Sequence, residues 1–485
     1  MTDLICLNLP YEYPFKINNF SRPSRSPSKT RGGTLYYPVS LSLMTSYAKR
    51  FGFSSRIYDC ITDDYSVSDV LKIVEKHKPK VVVIDTSTPS FVNDRIISDM
   101  IQERNKHTKV VLVGRHVTYA PTESLKSCKK VRVVARHEFY SQVIDLLEGK
   151  DLSQVDGISY RDNGNIVHNK DAKFIHPDEM GFISKIYKSQ LSIKKYFYAS
   201  IRNPYIMLLA GAYSCPYNCS FCNEYQKGNY RHRSVDNIIQ EIKWIRKNLP
   251  YVKEILWDDP TFVVDEIFIK ELSEAIIKNK IEMRWSCMTR ANISYDTLKV
   301  MKESGFKTAH IGLESSNQGS LNAINKNMEF DSEVEYLKRC EKLGIYNHGC
   351  FIVGLPGDTK ESVKATIDKA KSLPALDSVQ VFPLIPTPFE DIFNEESKGT
   401  IWRYLIDNNY LTTRDYSKWL KPNGLYNVVV NYPHLSSKEI EELVERFYRS
   451  FYFRRGYIWY KLKQSLSSYQ ELKRNVRGFK TMVSK

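Results

Sequence analysis

Two series of short, unbroken apolar runs, each spaced by helix-length amphipathic stretches, leave this chain few folds to adopt. In the first series, from Leu4 to about Gly149, the runs are "LICLNLP", "RIYDC", "KVVVIDT", "KVVLVG" and "VRVVA", separated by segments such as "VSDVLKIVEKHK" and "FVNDRIISDMIQERNK". Strands buried on both faces read as continuous Val/Ile runs, and a helix between successive strands makes them parallel. Residues 1–150 are therefore expected to form a doubly wound, Rossmann-like α/β domain. The second series starts at Tyr205 with "YIMLLAG", "EILWDD", "EMRWSCMTR", "TAHIGLES", "HGCFIVGLPG" and "DSVQVFPLIP", with helices such as "SVDNIIQEIKWIRKN" and "DSEVEYLKRCEKLG" between them. Six βα units close only part of a barrel, so residues 205–399 are expected to form a partial (β/α)6 barrel whose carboxyl-end loops are the place to look for catalysis.

The remaining segments are read from their turn and helix signals. "VDGISYRDNGNIVHNKD" holds two extended runs around Asp-Asn-Gly-Asn, a hairpin pattern, and with the linker that follows it makes residues 151–204 a connecting region. The stretch Asn19–Gly33, rich in Ser, Pro, Arg and Gly, follows the first strand and is either a ligand-covering loop or a mobile insertion. Residues 400–485 are expected to be helical: Ser436 and Glu439 form a capping-box pattern, and Ile440, Leu443, Val444, Phe447 and Phe451 recur on one face.

Composition narrows the cell biology. At 485 residues the chain has room for several cored domains. It contains no apolar run long enough to cross a bilayer and no signal-peptide pattern, which points to the cytoplasm. The formal charge of +16 suits nucleic acid, an anionic membrane face or a phosphorylated substrate, and a lysine-rich proteome would also produce it.

Three of the nine cysteines, Cys215, Cys219 and Cys222, fall within "CPYNCSFC", directly after the first barrel strand. The others (Cys6, Cys60, Cys128, Cys287, Cys340, Cys350) are scattered in apolar contexts, as reduced thiols are. Three thiolates do not close a structural zinc site without a fourth ligand, for which His232 is a candidate. A [4Fe–4S] cube is the better account, because three cysteine ligands leave one iron open to an outside ligand.

CxxxCx(aromatic)C after the first strand of a partial barrel resembles the radical S-adenosylmethionine (radical SAM) superfamily. The resemblance implies a [4Fe–4S] cluster held by Cys215, Cys219 and Cys222, with Phe221 just before the last ligand, and SAM chelated at the open iron. It also implies an electron donor such as ferredoxin or flavodoxin. "WDDPTF" corresponds to the segment that meets the SAM amino group, so one of Asp258 and Asp259 is expected to bind the ammonium. The alternative for these two is to cap the next helix. Glu314, in "IGLESSNQ", either binds the ribose or braces its strand end. Arg290 faces the SAM carboxylate or solvent. "FIVGLPGDT" resembles the adenine-lining segment, which brings in Ile352 and Gly354. His116, His310 and His348 read as structural, and Cys350 as inert or as a hydrogen donor to a substrate radical.

The first domain is similar to the cobalamin-binding-type domain that precedes many radical SAM cores. It departs from the common pattern at Gly114-Arg115-His116, where Gly-Gly-Pro-His is usual, and at Arg136-His137-Glu138, and it has no Asp-x-His-x-x-Gly motif for an axial histidine. Replacing glycine where a large flat ligand should approach argues against tight cobalamin binding. From Cys215 onward the chain resembles enzymes that build cyclitol-ether head groups on hopanoids, and the related archaeal calditol synthase. That resemblance implies hydrogen abstraction from a lipid-linked sugar or polyol, followed by ring formation.

The basic, aromatic "RFYRSFYFRRGYIWYKLK" would then bring the enzyme to the inner membrane face as a peripheral protein, although its rings would equally serve as a helix core face. Two rivals are a cobalamin-dependent C-methyltransferase and a tRNA-modifying enzyme. The second cysteine set and RNA-binding barrel of the latter are absent from the sequence, so no nucleic-acid partner is expected. Replacing Cys215, Cys219 or Cys222 with Ala should abolish both cluster iron and SAM cleavage; SAM cleavage surviving in any of the three would refute the cluster assignment.

Overall fold

The computed structural model describes residues 2–21, 27–211, 213–222, 224, 230–390 and 398–466, together with 472, 475 and 476. The middle of the Asn19–Gly33 loop, residues 22–26, lies outside them. Among the described residues the strands assemble into two sheets of seven and six strands.

The first sheet contains β1 (Leu4–Asn8), β2 (Ser55–Asp59), β3 (Val81–Asp85), β4 (Lys109–Val113) and β5 (Val133–Ala135), parallel and ordered β2-β1-β3-β4-β5. These are the five runs read from the sequence, and helices cover both faces, so β1 and the apolar part of β3 are fully buried. The hairpin β6 (Ile158–Asp162) and β7 (Asn165–His168) is more than a connector. It extends the same sheet, with β6 antiparallel to β5. Arg136 fixes it there, donating to the Ile158 carbonyl at 2.7 Å, the Asn169 carbonyl at 2.5 Å and the Asp171 carboxylate at 2.8 Å.

The second sheet contains β8 (Tyr205–Leu208), β9 (Glu254–Trp257), β10 (Arg284–Thr289), β11 (Phe306–Glu314), β12 (Tyr346–Val353) and β13 (Leu376–Pro383), all parallel and in sequence order, with β8 and β13 at its two ends. This is the open (β/α)6 barrel. Side-chain caps start its helices: Ser234, Ser294 and Thr359 each accept from the amide three residues on. A cluster of tyrosines joins the two sheets. Tyr37 stacks on Tyr196 at 3.9 Å between centroids, Tyr37 and Tyr205 donate across the junction to the Tyr205 and Leu35 carbonyls, and Tyr196 donates to Asp59 at 2.6 Å.

The C-terminal region is helical in part only. After a short helix, Ile401–Asp407, the chain to residue 436 is mostly irregular with isolated bridges, and then the helices Ser437–Tyr452 and Arg455–Leu466 follow. The capping box at Ser436 and Glu439 forms, and the residues read as the core face are buried. The tyrosines of this segment have a more specific task. Tyr448 accepts from the Val381 amide at 2.9 Å and donates to the Val381 carbonyl at 3.1 Å. Tyr452 does the same to Val379, at 2.9 and 2.6 Å, and Tyr457 donates to the Asp377 carbonyl at 3.0 Å. Alternate residues of the β13 edge are thus satisfied by phenol hydroxyls where a further strand would otherwise pair. The helix Arg455–Leu466 does expose apolar side chains, Trp459 at 62% and Leu466 at 87%. No helix among the described residues is long and apolar enough to cross a membrane.

Tyr448→Phe and Tyr452→Phe each remove the hydroxyl from a backbone amide and carbonyl at this edge. Each should cost about 1–3 kcal/mol, read as a shift of the urea midpoint at unchanged helix content.

Candidate functional site

The carboxyl ends of both parallel sheets open into one cavity of about 330 Å³. Ser40, Asp85–Pro89, Gly114 and Arg115 line it from the first sheet; Cys215, Cys219, Phe221, Cys222, Asp258, Arg290, Glu314 and Ile352 line it from the barrel. Of the residues expected to hold the cluster or SAM, Asp259 and Gly354 lie away from its wall.

Local constraints place the cysteine loop. The chain leaves β8 through Ala210 and Gly211, whose amides both donate to Asp259, at 2.9 and 2.6 Å. A side chain at Gly211 would meet the Arg231 carbonyl and the Asp259 carboxylate at 2.8 Å each, so glycine is required at that point. Asp259 is therefore committed to the loop backbone. Asp258 is the one that lines the cavity, where it accepts from Tyr213 at 3.3 Å. Neither caps the following helix, whose N-cap is Asp265. Beyond Gly211 the loop is pinned by Ser220, whose amide donates to Ile324 and whose carbonyl accepts from Ile401, at 2.9 Å each.

Cys215 and Cys219 are buried and Cys222 is half-buried, and burial pushes the Cys215 thiol up. His232 is not a fourth ligand: its ring stacks on Phe268 at 3.9 Å and its Nδ1 lies against the Arg233 carbonyl. Thiols on one loop at the rim of a cavity that continues past them suit a cluster with one iron facing inward. Arg290 is buried, not solvent-facing. Its Nη1 is 3.5 Å from the Cys219 sulfur, its Nη2 donates to the Lys326 carbonyl, and its guanidinium lies 4.0 Å over the Tyr217 ring. This fixed positive charge beside a ligand sulfur favours anionic groups there, whether a thiolate or a carboxylate.

Glu314 ends β11 in a left-handed conformation, φ 60°, at a register break against β12. That geometry is uncommon without glycine and turns the carboxylate to the cavity, where Lys326 Nζ donates to it at 3.0 Å. Burial opposes the charge on Lys326, and the Glu314 carboxylate beside it offsets burial and raises its pKa. Glu333, from the helix Phe330–Leu343, has both carboxylate oxygens buried, and burial lifts its pKa to about 8, so it is mostly protonated at neutral pH. Lys326 and Glu333 escaped the sequence reading because a Lys in a loop and a Glu on a polar-looking helix carry no pattern.

Gly354 belongs to packing. At φ 91°, its missing side chain leaves room for Ile440 of the C-terminal helix, 3.0 Å from where a Cβ would stand, and its amide donates to Asp358 at 3.0 Å. Ile352 does reach the cavity, as do His310 and Cys350, while His348 supports the strand row behind them through Ser378 at 2.7 Å. His116 lies outside the cavity wall, stacked near Phe91 at 4.1 Å, with its pKa pushed down to about 3 by burial.

Arg115 does not obstruct the first sheet's edge as its replacement of glycine suggested. Its guanidinium is drawn onto Glu224 of the cysteine loop, 2.6 Å away, with 6% and 0% of the two side chains exposed. What remains at that edge is a rim of small polar groups, including Ser40, Thr86, Ser87 and Thr88. Such a rim fits a large ligand edged with amides, approached without a protein imidazole from His116. Arg136 and Glu138 serve the fold, the latter accepting from Arg231 at 3.1 Å.

Comparison with known proteins agrees with this geometry. Residues 212–370 match the family model of the radical SAM superfamily, and residues 30–141 match that of the B12 binding domain. The chain is 29% identical over 441 residues to an uncharacterized methyltransferase of Pyrococcus horikoshii, covering 89% of this chain and 91% of that protein. It is 26% identical over 377 residues to the anaerobic magnesium-protoporphyrin IX monomethyl ester cyclase of Rubrivivax gelatinosus, covering 74% of this chain and 66% of that one. Its fold resembles the cobalamin-dependent SAM radical enzyme OxsB, at a TM-score of 0.67 and 16% identity, over 99% of this chain and 72% of that chain.

Glu224→Ala would strand the Arg115 charge in a buried setting, and should cost roughly 3–5 kcal/mol. Unfolding by urea measures it, and the double variant Arg115→Met with Glu224→Ala should recover much of the loss.

Proposed function

We propose that this chain, a radical SAM enzyme carrying a B12-binding domain, is a cobalamin-dependent methyltransferase that replaces a C–H bond of its substrate with C–CH3. The observation that carries the reading is the shared cavity: the small polar rim of the first sheet and the three cysteines of the barrel line one continuous space. A methyl carrier seated at one end and a hydrogen-abstracting centre at the other would then face the same substrate.

When bound, a [4Fe–4S] cluster with SAM supplies hydrogen abstraction and a cobalamin supplies the methyl group. The chain supplies placement. Cys215, Cys219 and Cys222 would hold the cluster, Asp258 the SAM ammonium, Arg290 the carboxylate, and Glu314 the ribose hydroxyls, with Ile352 against the adenine. Ser40, Thr86, Ser87 and Thr88 would meet the corrin amides. The Arg115–Glu224 pair ties the corrinoid edge to the cluster loop and keeps the two reacting ends at a fixed separation. Burial of this wall excludes water, which would otherwise screen the charges that orient SAM.

The ring-forming reaction on a lipid-linked sugar rests on the resemblance of short segments, and the relatives include a cyclase as well as a methyltransferase. A test that needs no substrate separates the readings. Reconstituted anaerobically with iron, sulfide and hydroxocobalamin, then given SAM labelled in its methyl group and a reductant, the protein should retain stoichiometric corrinoid through gel filtration and carry label on it. Retention of no corrinoid, with SAM still cleaved to 5′-deoxyadenosine, would overturn the methyltransferase and favour a reaction that conserves the substrate's carbon count.

A further inference from the structure

Below the rung that carries Glu314, the inward residues of the last three barrel strands form two further rungs. His310, His348 and Ser378 stand in register on β11, β12 and β13, and above them Gly312, Cys350 and Gln380. His310, Cys350 and Gln380 line the cavity. The groups are joined laterally: Tyr198 hydroxyl to His310 Nδ1 at 2.9 Å, Tyr198 to Tyr36 at 3.4 Å, His348 Nδ1 to Ser378 at 2.7 Å, and His348 Nε2 toward the Gln380 amide oxygen at 3.5 Å. Burial keeps His348 uncharged at neutral pH, its pKa pushed down to about 4.

The charged residues of the cavity are placed elsewhere. Among the described residues, Asp85, Arg115, Asp258, Arg290, Glu314 and Lys326 all lie at the first-sheet edge or on the rung beside the cysteines. On the two lower rungs there is no Asp, Glu, Lys or Arg, and the flanking wall is aromatic or aliphatic, with Tyr36, Phe382, Ile385 and Tyr426. Among the described residues the cation nearest these rungs is Lys326, and its ammonium is committed to the Glu314 carboxylate at 3.0 Å and the Gly312 carbonyl at 2.8 Å. Pockets that take carboxylates or phosphates are built the opposite way, with Arg or Lys at the bottom.

We propose that this floor is the substrate subsite, and that it takes an uncharged hydrogen-bonding group, a carboxamide, ketone or hydroxyl, at the end of an otherwise apolar molecule. Gln380 reads that group, with its amide offering both a donor and an acceptor, and the aromatic wall covers the apolar body. Among the described residues an anionic end meets no cation there beyond Lys326, already paired with Glu314, and it is rejected, since a buried charge without a partner loses its hydration for nothing. This deepens the methyltransferase reading, resting on it only for the premise that the cavity is where substrate binds.

The test uses benzamide and benzoate, matched in shape and differing in charge, titrated against the cluster-reconstituted, SAM-bound protein and followed by ligand-observed NMR. Benzamide should bind more tightly than benzoate by on the order of tenfold to a hundredfold. Gln380→Met, close in volume and without the amide, should weaken benzamide about tenfold while leaving toluene binding in place, which shows the pocket still folded. Gln380→Glu should turn the preference toward benzylamine. Benzoate binding as tightly as benzamide, no benzamide binding at all, or benzamide binding untouched by Gln380→Met in a protein that still takes toluene would each overturn the proposal. None of these readouts involves corrinoid or methyl transfer, so the subsite and the reaction can fail separately.

Discussion

The buried ion pair between Arg115 and Glu224 stands where the two halves of the molecule have to agree. One partner starts the turn after β4 of the first sheet, and the other belongs to the loop that carries the three cysteines. Parallel sheets covered on both faces leave their carboxyl ends as the natural place for ligands, and here two such ends face one another. Without a rigid link across that gap, each sheet would present half a site. A charge pair sequestered from water is costly to separate and strict about distance, which is what a site shared between two sheets needs.

The strands were legible because their burial is extreme. Runs such as "KVVVIDT" have no polar face, and that pattern has one reading in a chain with helices between the runs. The hairpin's attachment to β5 was not legible, because pairing partners across a sheet leave no mark in a turn sequence; Arg136, which makes the attachment, looked like a departure from a ligand-binding motif. The same limit governed the site. Three cysteines at fixed spacing announce their chemistry, and so does a carboxylate at the end of a strand. Which of Asp258 and Asp259 faces the cavity depends on the course of the chain at Ala210 and Gly211, and Gly354 resembled a ligand contact because close packing against Ile440 also demands a missing side chain.

Charge is sorted across the cavity with unusual economy. Arg290, Lys326, Glu314 and Asp258 gather near the cysteines, where a cofactor with both ammonium and carboxylate groups would need them. Glu333, held protonated behind Lys326, adds bulk and a latent acid without adding a second negative charge beside Glu314. The lower rungs hold histidine, cysteine, serine and glutamine.

The tyrosines on the β13 edge bear on how the barrel is finished. A sheet can end by curling onto itself, by recruiting another strand, or by accepting an exposed edge. This chain does none of these at Val379 and Val381, because a hydroxyl on a helix occupies the donor and the acceptor of each residue together. Side chains that plug a ladder in this way act like a selvedge on woven cloth. The sheet is free to stay open for a bulky cofactor, and a strand from a neighbouring molecule finds no loose thread at those positions to knit onto.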